Sequence, residues 1–457
     1  MSALRHLGNT QRRVCKSTRS SPLALGAYYS KVFLRRPSEN EWMRFSSYAR
    51  RIRTLYLGTS LHGATVIPLE VFNLLSMQTP TLGHYPLPNL RSFYWKIGSW
   101  DLAPFLRLFL NPGLTSVHIL FPTHDPHIYR PATISLIPTQ DLMHLRLQRM
   151  GNEDIHWGEL RNLLDEASKT LRSVSLDGQP SMAVIDKLLR LPNLRSLDVQ
   201  LPATRISPPA VVLPSLGKLV VRYNDPRSWL HILQNIPNPA LREFDVTFTG
   251  SSTSYLQTLG SFLLNANVER TLVSLKCTSE NLAPLTGAGI HPLLSFGRLT
   301  TLELSASCNE GQCGILLNDS IVSELAVALP HLTSLGLGSI PCKASTSNVT
   351  IASLVTLSMN CVDLDFLRLH FNANDITTRG IHANSRTRKF TCKLRTLSVG
   401  SQPLPSNHND ILLVTFTILH IFPHVETIAS GGGGWRQVRE GVQLFRKVPR
   451  IIPPTED

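Results

Sequence analysis

Charge is scarce in this sequence. Asp, Glu, Lys and Arg make up 17% of its 457 residues, against about a quarter in ordinary soluble domains. With a hydrophobic fraction of 42%, that excludes wholesale disorder, which needs little apolar surface and much charge. Long apolar runs are missing as well. The longest, Ile411 to Phe422, contains His420 and is too short to span a bilayer. No secretory leader is visible. Cysteine is sparse and odd in number, at seven. Cys308 and Cys313 lie close together, but no second His or Cys pair completes a zinc site. The expectation is a reducing compartment, cytoplasmic or nuclear, with Cys277 a small buried hydrophobe. Two Asn-x-Ser/Thr matches, at Asn318 and Asn348, are therefore discounted as glycosylation sites.

Reactive motifs are also lacking. There is no phosphate-cradling Gly loop, no Gly-x-Ser-x-Gly elbow and no His-Glu-x-x-His. Gly431 to Gly434 is not followed by Lys-Ser/Thr and reads as a flexible break. His118, His124 and His127 are close in sequence but lack a further ligand. The sequence points away from an enzyme and implies no metal or cofactor.

Acids are absent from residues 1–38, which hold eight Lys or Arg, and residues 1–53 hold twelve with only Glu39 and Glu41 against them. A second basic cluster is Arg379, Arg386, Arg388, Lys389, Lys393 and Arg395. Such surfaces meet nucleic acid, anionic membranes or acidic proteins. Aromatic residues are not interleaved with these charges, which argues against a single-strand nucleic-acid platform. The basic N-terminal composition resembles a mitochondrial presequence, without its amphipathic helical period.

What the sequence has is one short phrase, repeated. Its cleanest copy is Leu194-x-x-Leu197-x-Val199 in LPNLRSLDV. Near copies start at Ile52, Leu90, Leu114, Leu142, Leu171, Leu216, Leu241, Leu272, Leu299, Leu332, Leu354, Leu394 and, weakly, Val425. That makes fourteen copies, with starts 22 to 40 residues apart. A repeat of this period is the strand of a leucine-rich repeat. Helical apolar spacing follows at Leu69–Met77, Leu102–Leu110, Trp157–Ala167, Ala183–Leu191, Trp229–Ile236, Tyr255–Leu264, Ile321–Leu329 and Ile411–Phe422. Several of these end at Pro112, Pro192, Pro237 or Pro330. The expected fold class is α/β: a leucine-rich-repeat solenoid with a curved parallel sheet inside, helices outside and a helical N-terminal cap. Insertions are expected at 201–212, 278–298, 305–318, 338–350 and 370–391. An Asn ladder between loops is nearly missing, with Asn224 its one clear candidate.

The expected organisation has four parts. Residues 1–36 form a basic N-terminal segment. Residues 37–51 form a capping helix, opened by Pro37-Ser38 with Glu39 and Glu41 in its first turn. Trp42, Phe45, Tyr48, Ala49 and Ile52 make its apolar face. Residues 52–430 carry the repeats. Residues 431–457 are a hinge and a C-terminal capping helix, with Trp435, Val438, Val442 and Phe445 on one stripe.

Side chains alternate along a strand, so the residues beside the second apolar position of each phrase face outward on the concave side. The pairs include Thr54/Tyr56, Ser92/Tyr94, Ser116/His118, His144/Arg146, Ser196/Asp198, Glu243/Asp245, Ser274/Lys276, Thr301/Glu303, Ser334/Gly336, Thr356/Ser358 and Thr396/Ser398. Tyr56, Tyr94, Lys96, His118 and Arg146 populate the early rows. Asp198, Arg222, Asp245, Lys276 and Glu303 populate the middle ones. The late rows, Ser334, Gly336, Ser358 and Ser398, are small. Tyr and Arg are the side chains most often energetic at interfaces, so the early and middle rows are the expected partner surface.

Two stretches resemble a known family. VCKSTRSSPLALGAYYSKVFL, Val14 to Leu34, is similar to the last part of an F-box and the segment after it. Val14, Cys15, Lys16 and Ser17 match, with Thr18 where a Trp is usual, and Leu23, Ala24, Leu25, Tyr28 and Tyr29 supply the apolar continuation. With thirteen residues before Val14, the leading half of the motif is expected to be missing. Trp42, Phe45, Tyr48, Ala49 and Ile52 are similar to the junction of fungal F-box proteins with leucine-rich repeats. The resemblance implies the substrate-receptor subunit of a cullin-RING ubiquitin ligase. In that family an F-box, here Val14, Cys15, Leu23 and Leu25, holds an adaptor and through it a cullin, and the repeats present a protein target. A repeat scaffold without a ubiquitin role, or a basic-arm binder of nucleic acid or anionic surfaces, are the alternatives.

Overall fold

The computed structural model describes residues 37–58, 69–82, 85–96, 100–121, 129–148, 155–201, 215–223, 240–248, 255–280, 285–306, 315–338, 347–373, 390–400, 404, 407–429 and 433–447. They fall into two compact units divided between Gln200 and Leu201. Each unit is α/β with an open, all-parallel sheet, not closed into a barrel.

In the first unit the strands are β1 (Thr54–Leu57), β2 (Ser92–Lys96), β3 (Ser116–Leu120), β4 (His144–Gln148), β5 (Ser173–Leu176) and β6 (Ser196–Gln200), paired in chain order. The repeated phrase explains why. Its first residue is fully buried at Leu90, Leu114, Leu142, Leu171 and Leu194, and the residue after it starts the hydrogen bonding. The carbonyl of Arg53 accepts from the amides of Arg91 and Ser92, at 2.8 and 2.9 Å. Arg91, Thr115, Met143 and Arg172 repeat the arrangement toward the next strand. One carbonyl thus takes two donors from the neighbouring repeat. A slip of one residue would turn the apolar set outward.

The helix α1 (Glu39–Ala49) leads into β1, and between strands the chain crosses back as α2 (Leu69–Leu82), a 3-10 helix (Trp100–Leu108), α3 (Tyr129–Ser135), α4 (Ile155–Glu166) and α5 (Met182–Leu189). At the start of α1 the Glu41 carboxylate turns back to accept from the Ser38 amide at 2.7 Å and its hydroxyl at 3.0 Å. This satisfies a donor that a helix start leaves open. Trp42, Phe45 and Ala49 are buried as expected. Tyr48 is not: it is exposed, with the Arg51 guanidinium over its ring. Aromatic packing dominates the early core, where Phe72, Phe93, Trp95 and Phe109 contact one another.

The second unit holds β7 (Lys218–Tyr223), β8 (Glu243–Phe248), β9 (Ser274–Ser279), β10 (Leu285–Thr286), β11 (Thr301–Ala306), β12 (Ile315–Leu316), β13 (Ser334–Leu337), β14 (Phe366–Leu369), β15 (Thr396–Ser398) and β16 (Thr427–Ala429). All but β10 and β12 form its main sheet; those two pair with each other in a separate small sheet. Its helices are α6 (Tyr255–Asn265), α7 (Gly287–Ile290) with a 3-10 turn at His291–Ser295, α8 (Asp319–Ala328), α9 (Ile351–Asn360), α10 (His408–Ile421) and α11 (Gly433–Lys447). The stretch 278–298, expected as an insertion, therefore contains β10, α7 and the 3-10 turn, with Ile290, Leu293 and Phe296 in the core.

One expected strand is a helix. Leu354-x-x-Leu357-x-Met359 has the spacing of the phrase, but it lies inside α9. Leucines three apart also share a helix face, and the Thr350 hydroxyl caps that helix by accepting from the Ala352 amide at 3.2 Å. The strand of this repeat comes later, as Leu364-x-x-Leu367-x-Leu369, with Leu364 and Leu367 fully buried. Thr356 and Ser358 therefore do not face outward on the sheet. Ser358 is buried and donates to the Val355 carbonyl at 2.7 Å.

The two Asn-x-Ser/Thr matches turn out to start helices. Asn318 and Asn348 form a parallel bridge. The Asn318 side chain accepts from the Ile321 amide at 3.1 Å. The Asp319 carboxylate accepts from the amide and the hydroxyl of Thr350, both at 2.7 Å, so one repeat's helix start holds the next one's. Asn224 lies outside the described residues, as do the expected helix at 229–236 and Gly431 and Gly432. Other Asn side chains join repeats on the opposite side, before the strands. Asn89 donates to the Arg50 carbonyl, Asn193 to that of Lys169, and buried Asn111 to those of Leu87 and Leu90. In the second unit the thiols of Cys361 and Cys392 point at carbonyls of the preceding repeat from comparable places.

No helix among the described residues is long and apolar enough to cross a membrane.

Candidate functional site

Strands buried on one face alternate in exposure, and every strand of the first unit does so. The register carries the outward residues into rows. Tyr56 pairs with Tyr94, Tyr94 with His118, His118 with Arg146, Arg146 with Ser175, and Ser175 with Asp198. Five of the expected surface residues thus share one row, and Lys96 stands on the next, aligned with Leu120 and Gln148.

The row is packed side by side. The Tyr56 and Tyr94 ring centres are 5.6 Å apart. Tyr94 meets the His118 ring edge-on at 4.4 Å. His118 Nε2 is 2.9 Å from Gln148 Oε1, which fixes its ring plane. Burial holds the His118 pKa below its ordinary value; the Gln148 hydrogen bond opposes that shift and the Arg146 charge adds to it. His144 is lowered in the same direction, by burial first and then by Arg172. At the far end Asp198 accepts from the Ser175 hydroxyl at 2.7 Å. Tyr56 is 66% exposed, an aromatic residue left open at the start of the row.

In the second unit Asp245, Lys276 and Glu303 share a row, while Arg222 lies one row on, aligned with Thr247. The row of Asp245, Lys276 and Glu303 continues through Gly336 to Arg368. Lys276 Nζ lies 3.1 Å from Glu303 Oε1. From two strands away, Arg368 brings Nη2 to 3.9 Å from Glu303 Oε2 and donates to the Ser305 hydroxyl at 3.3 Å. Gly336 makes room: a Cβ there would sit 2.9 Å from Arg368 Nη2. Lys218 and Glu243 pair at 2.7 Å nearer the strand starts.

Arg368 and its neighbour Phe366 are hidden in the sequence because Leu354-x-x-Leu357 has the spacing of the phrase and comes first. The signal was present, since Leu364-x-x-Leu367-x-Leu369 is a complete copy ten residues later. The late rows are therefore not all small. Val14, Cys15, Leu23 and Leu25, expected at the adaptor contact, lie outside the described residues.

Among the described residues no group of three or more His, Cys, Asp and Glu is placed to hold a metal ion. What the two faces offer chemically is rings, hydroxyls and charge on a sheet surface. No protein-family model matches this sequence, and no curated protein matches it.

Proposed function

We propose that the chain is a leucine-rich-repeat protein-recognition module. The observation that carries this reading is the row Tyr56, Tyr94, His118 and Arg146, a packed run of aromatic, imidazole and guanidinium groups on an otherwise hydroxyl-rich open face. Sheet surfaces that only meet water have no need of adjoining Tyr rings, and Tyr and Arg dominate the energetics of protein interfaces. The repeat reading is supported by buried leucines at a constant place before each strand and by the two-donor carbonyl that joins each repeat to the next.

The resemblance of Val14 to Leu34 and of Trp42 to Leu57 to F-box proteins extends the reading to a ubiquitin-ligase substrate receptor. In that role Val14, Cys15, Leu23 and Leu25 contact the adaptor, the adaptor links to a cullin, and the open face holds a protein target in the cytoplasm or nucleus.

Co-expression of the full chain with the F-box adaptor and cullin tests the ligase role. Co-elution on size exclusion, lost in the Val14→Asp, Leu25→Asp variant, is expected. Failure of the unaltered chain to co-elute would remove the ligase role and leave a repeat scaffold.

A further inference from the structure

The two units treat cations on their open faces differently. In the second, Lys218, Lys276 and Arg368 each have a carboxylate within 4 Å. At the edge where its strands begin Lys393 pairs with Asp363, Arg395 with Asp365 and Arg446 with Glu426, as Arg91 pairs with Asp141 on that edge of the first unit. In the first unit Lys96 and Arg146 have no carboxylate partner among the described residues. The one acid on the outward positions of β1–β6, Asp198, is hydrogen-bonded to Ser175. Arg172 and Arg195, exposed just before β5 and β6, add positive potential along the same edge.

We propose that the open face of β2–β4 binds an extended acidic segment of a protein partner, with carboxylates over Lys96 and Arg146 and the chain between them crossing β3 over His118 and Leu120, beside Tyr94. This rests on the reading of that face as a partner surface and names the chemistry of the partner. Two cations without a carboxylate among the described residues, in a setting of rings and hydroxyls, are complementary to carboxylates and demand few of them. Lys96 and Arg146 are two strands apart and one outward position out of step, about 12 Å by sheet geometry. An extended chain covers that in about three or four residues, so the segment carries acids at that spacing. His118 lies between the two cations with its pKa held down, so near neutral pH the charge that selects the segment stays on Lys96 and Arg146. A nucleic acid fits less well. Its affinity grows with the number of phosphates neutralised, and the outward positions of β2–β4 hold two cations, with the further arginines set back at the strand starts.

The test uses the full chain and two probes in fluorescence anisotropy: fluorescein-labelled deca-glutamate and a labelled single-stranded DNA decamer. The variants are Lys96→Glu with Arg146→Glu; the milder Lys96→Gln with Arg146→Gln; Tyr56→Ala with Tyr94→Ala; and a control, Arg44→Glu with Arg161→Glu, which makes the same change in net charge on exposed helix positions. Face reversal is expected to weaken deca-glutamate binding at least tenfold and the neutral pair about threefold, with less than twofold for the control. Equal losses in the face and control reversals would overturn the proposal, as would tighter binding of the DNA that depends on Lys96 and Arg146. If the Tyr variant alone weakens binding, the face is a partner surface that does not read acids, and only this inference fails. If no face variant matters, the reading of the face fails with it.

Discussion

Arg368 reaches across the strand of Gly336 to Glu303, two strands away, and ends 3.9 Å from its carboxylate. The contact depends on a missing side chain between them. With Arg368 only 18% exposed, the pair is screened less than an ordinary surface bridge. Gly336→Val is expected to push the guanidinium off Glu303 and to cost about 1–3 kcal/mol in denaturant unfolding, the range for overpacking. A double-mutant cycle of Arg368→Ala and Glu303→Ala in the Gly336→Val background should then show coupling near zero, against a measurable coupling in the unaltered chain.

Ser358→Lys tests the placement of the repeat between β13 and β15. On a strand at 354–359 this side chain would face water and the change would be nearly neutral. Inside α9 it is buried, and an unpaired buried charge is expected to cost about 3 kcal/mol or more. Thermal melts of Ser358→Lys beside Thr356→Lys, a half-exposed position on the same helix, decide between the two.

The repeats were legible because burying one strand face imposes a pattern no other element shares, and thirteen of the fourteen phrase positions do lead into strands. Leu354 failed for a physical reason: i, i+3 leucines fit a helix stripe as well as a strand start, and the neighbouring Thr350 cap decides it. The 3-10 turn at His291–Ser295 and α7 were hidden because Gly287 and Gly289 are poor helix formers. They are held by packing instead: a Cβ at Gly287 would overlap the Ile321 side chain. At the candidate site, alternation alone found Tyr56, Tyr94, His118 and Arg146. Their contact came from strand register, which fourteen similar phrases fix only once paired, and Gln148, which orients His118, carried no signal of its own.

Thiol chemistry follows from burial. Cys277, Cys361 and Cys392 are buried and free. Burial pushes the Cys361 thiol up to about 12, with the Cys392 thiol beside it adding to the shift, and burial pushes Cys392 up to about 11. Thiolate, the reactive form, is scarce at neutral pH. Iodoacetamide labelling with mass spectrometry should leave these three unmodified in the native chain and label all seven cysteines in denaturant. Fast native labelling of Cys361 would contradict the packing of α9 against its neighbours.

Acid should weaken the first unit before the carboxylates titrate. His118 and His144 both have folded pKa values below the ordinary 6.5. Between the folded and unfolded values the unfolded chain binds more protons, so stability rises with pH there. It is full above about 6.5 and is lost as pH falls through that window. Denaturation midpoints from pH 7.5 to 5.0 should drop, and His118→Gln with His144→Gln should flatten the drop. An unchanged slope in the double variant would show that these rings do not carry it.

The most direct test of the open face as a recognition surface is site-specific photo-crosslinking in cells. p-Benzoylphenylalanine is placed at Tyr56, at the open end of the packed row, and separately at Arg161 on the exposed side of α4. A discrete crosslinked partner is expected from Tyr56, diminished by Arg146→Glu, and none of that mass from Arg161. The same product from both positions, or none from Tyr56 while the chain is folded and expressed, would contradict the recognition role.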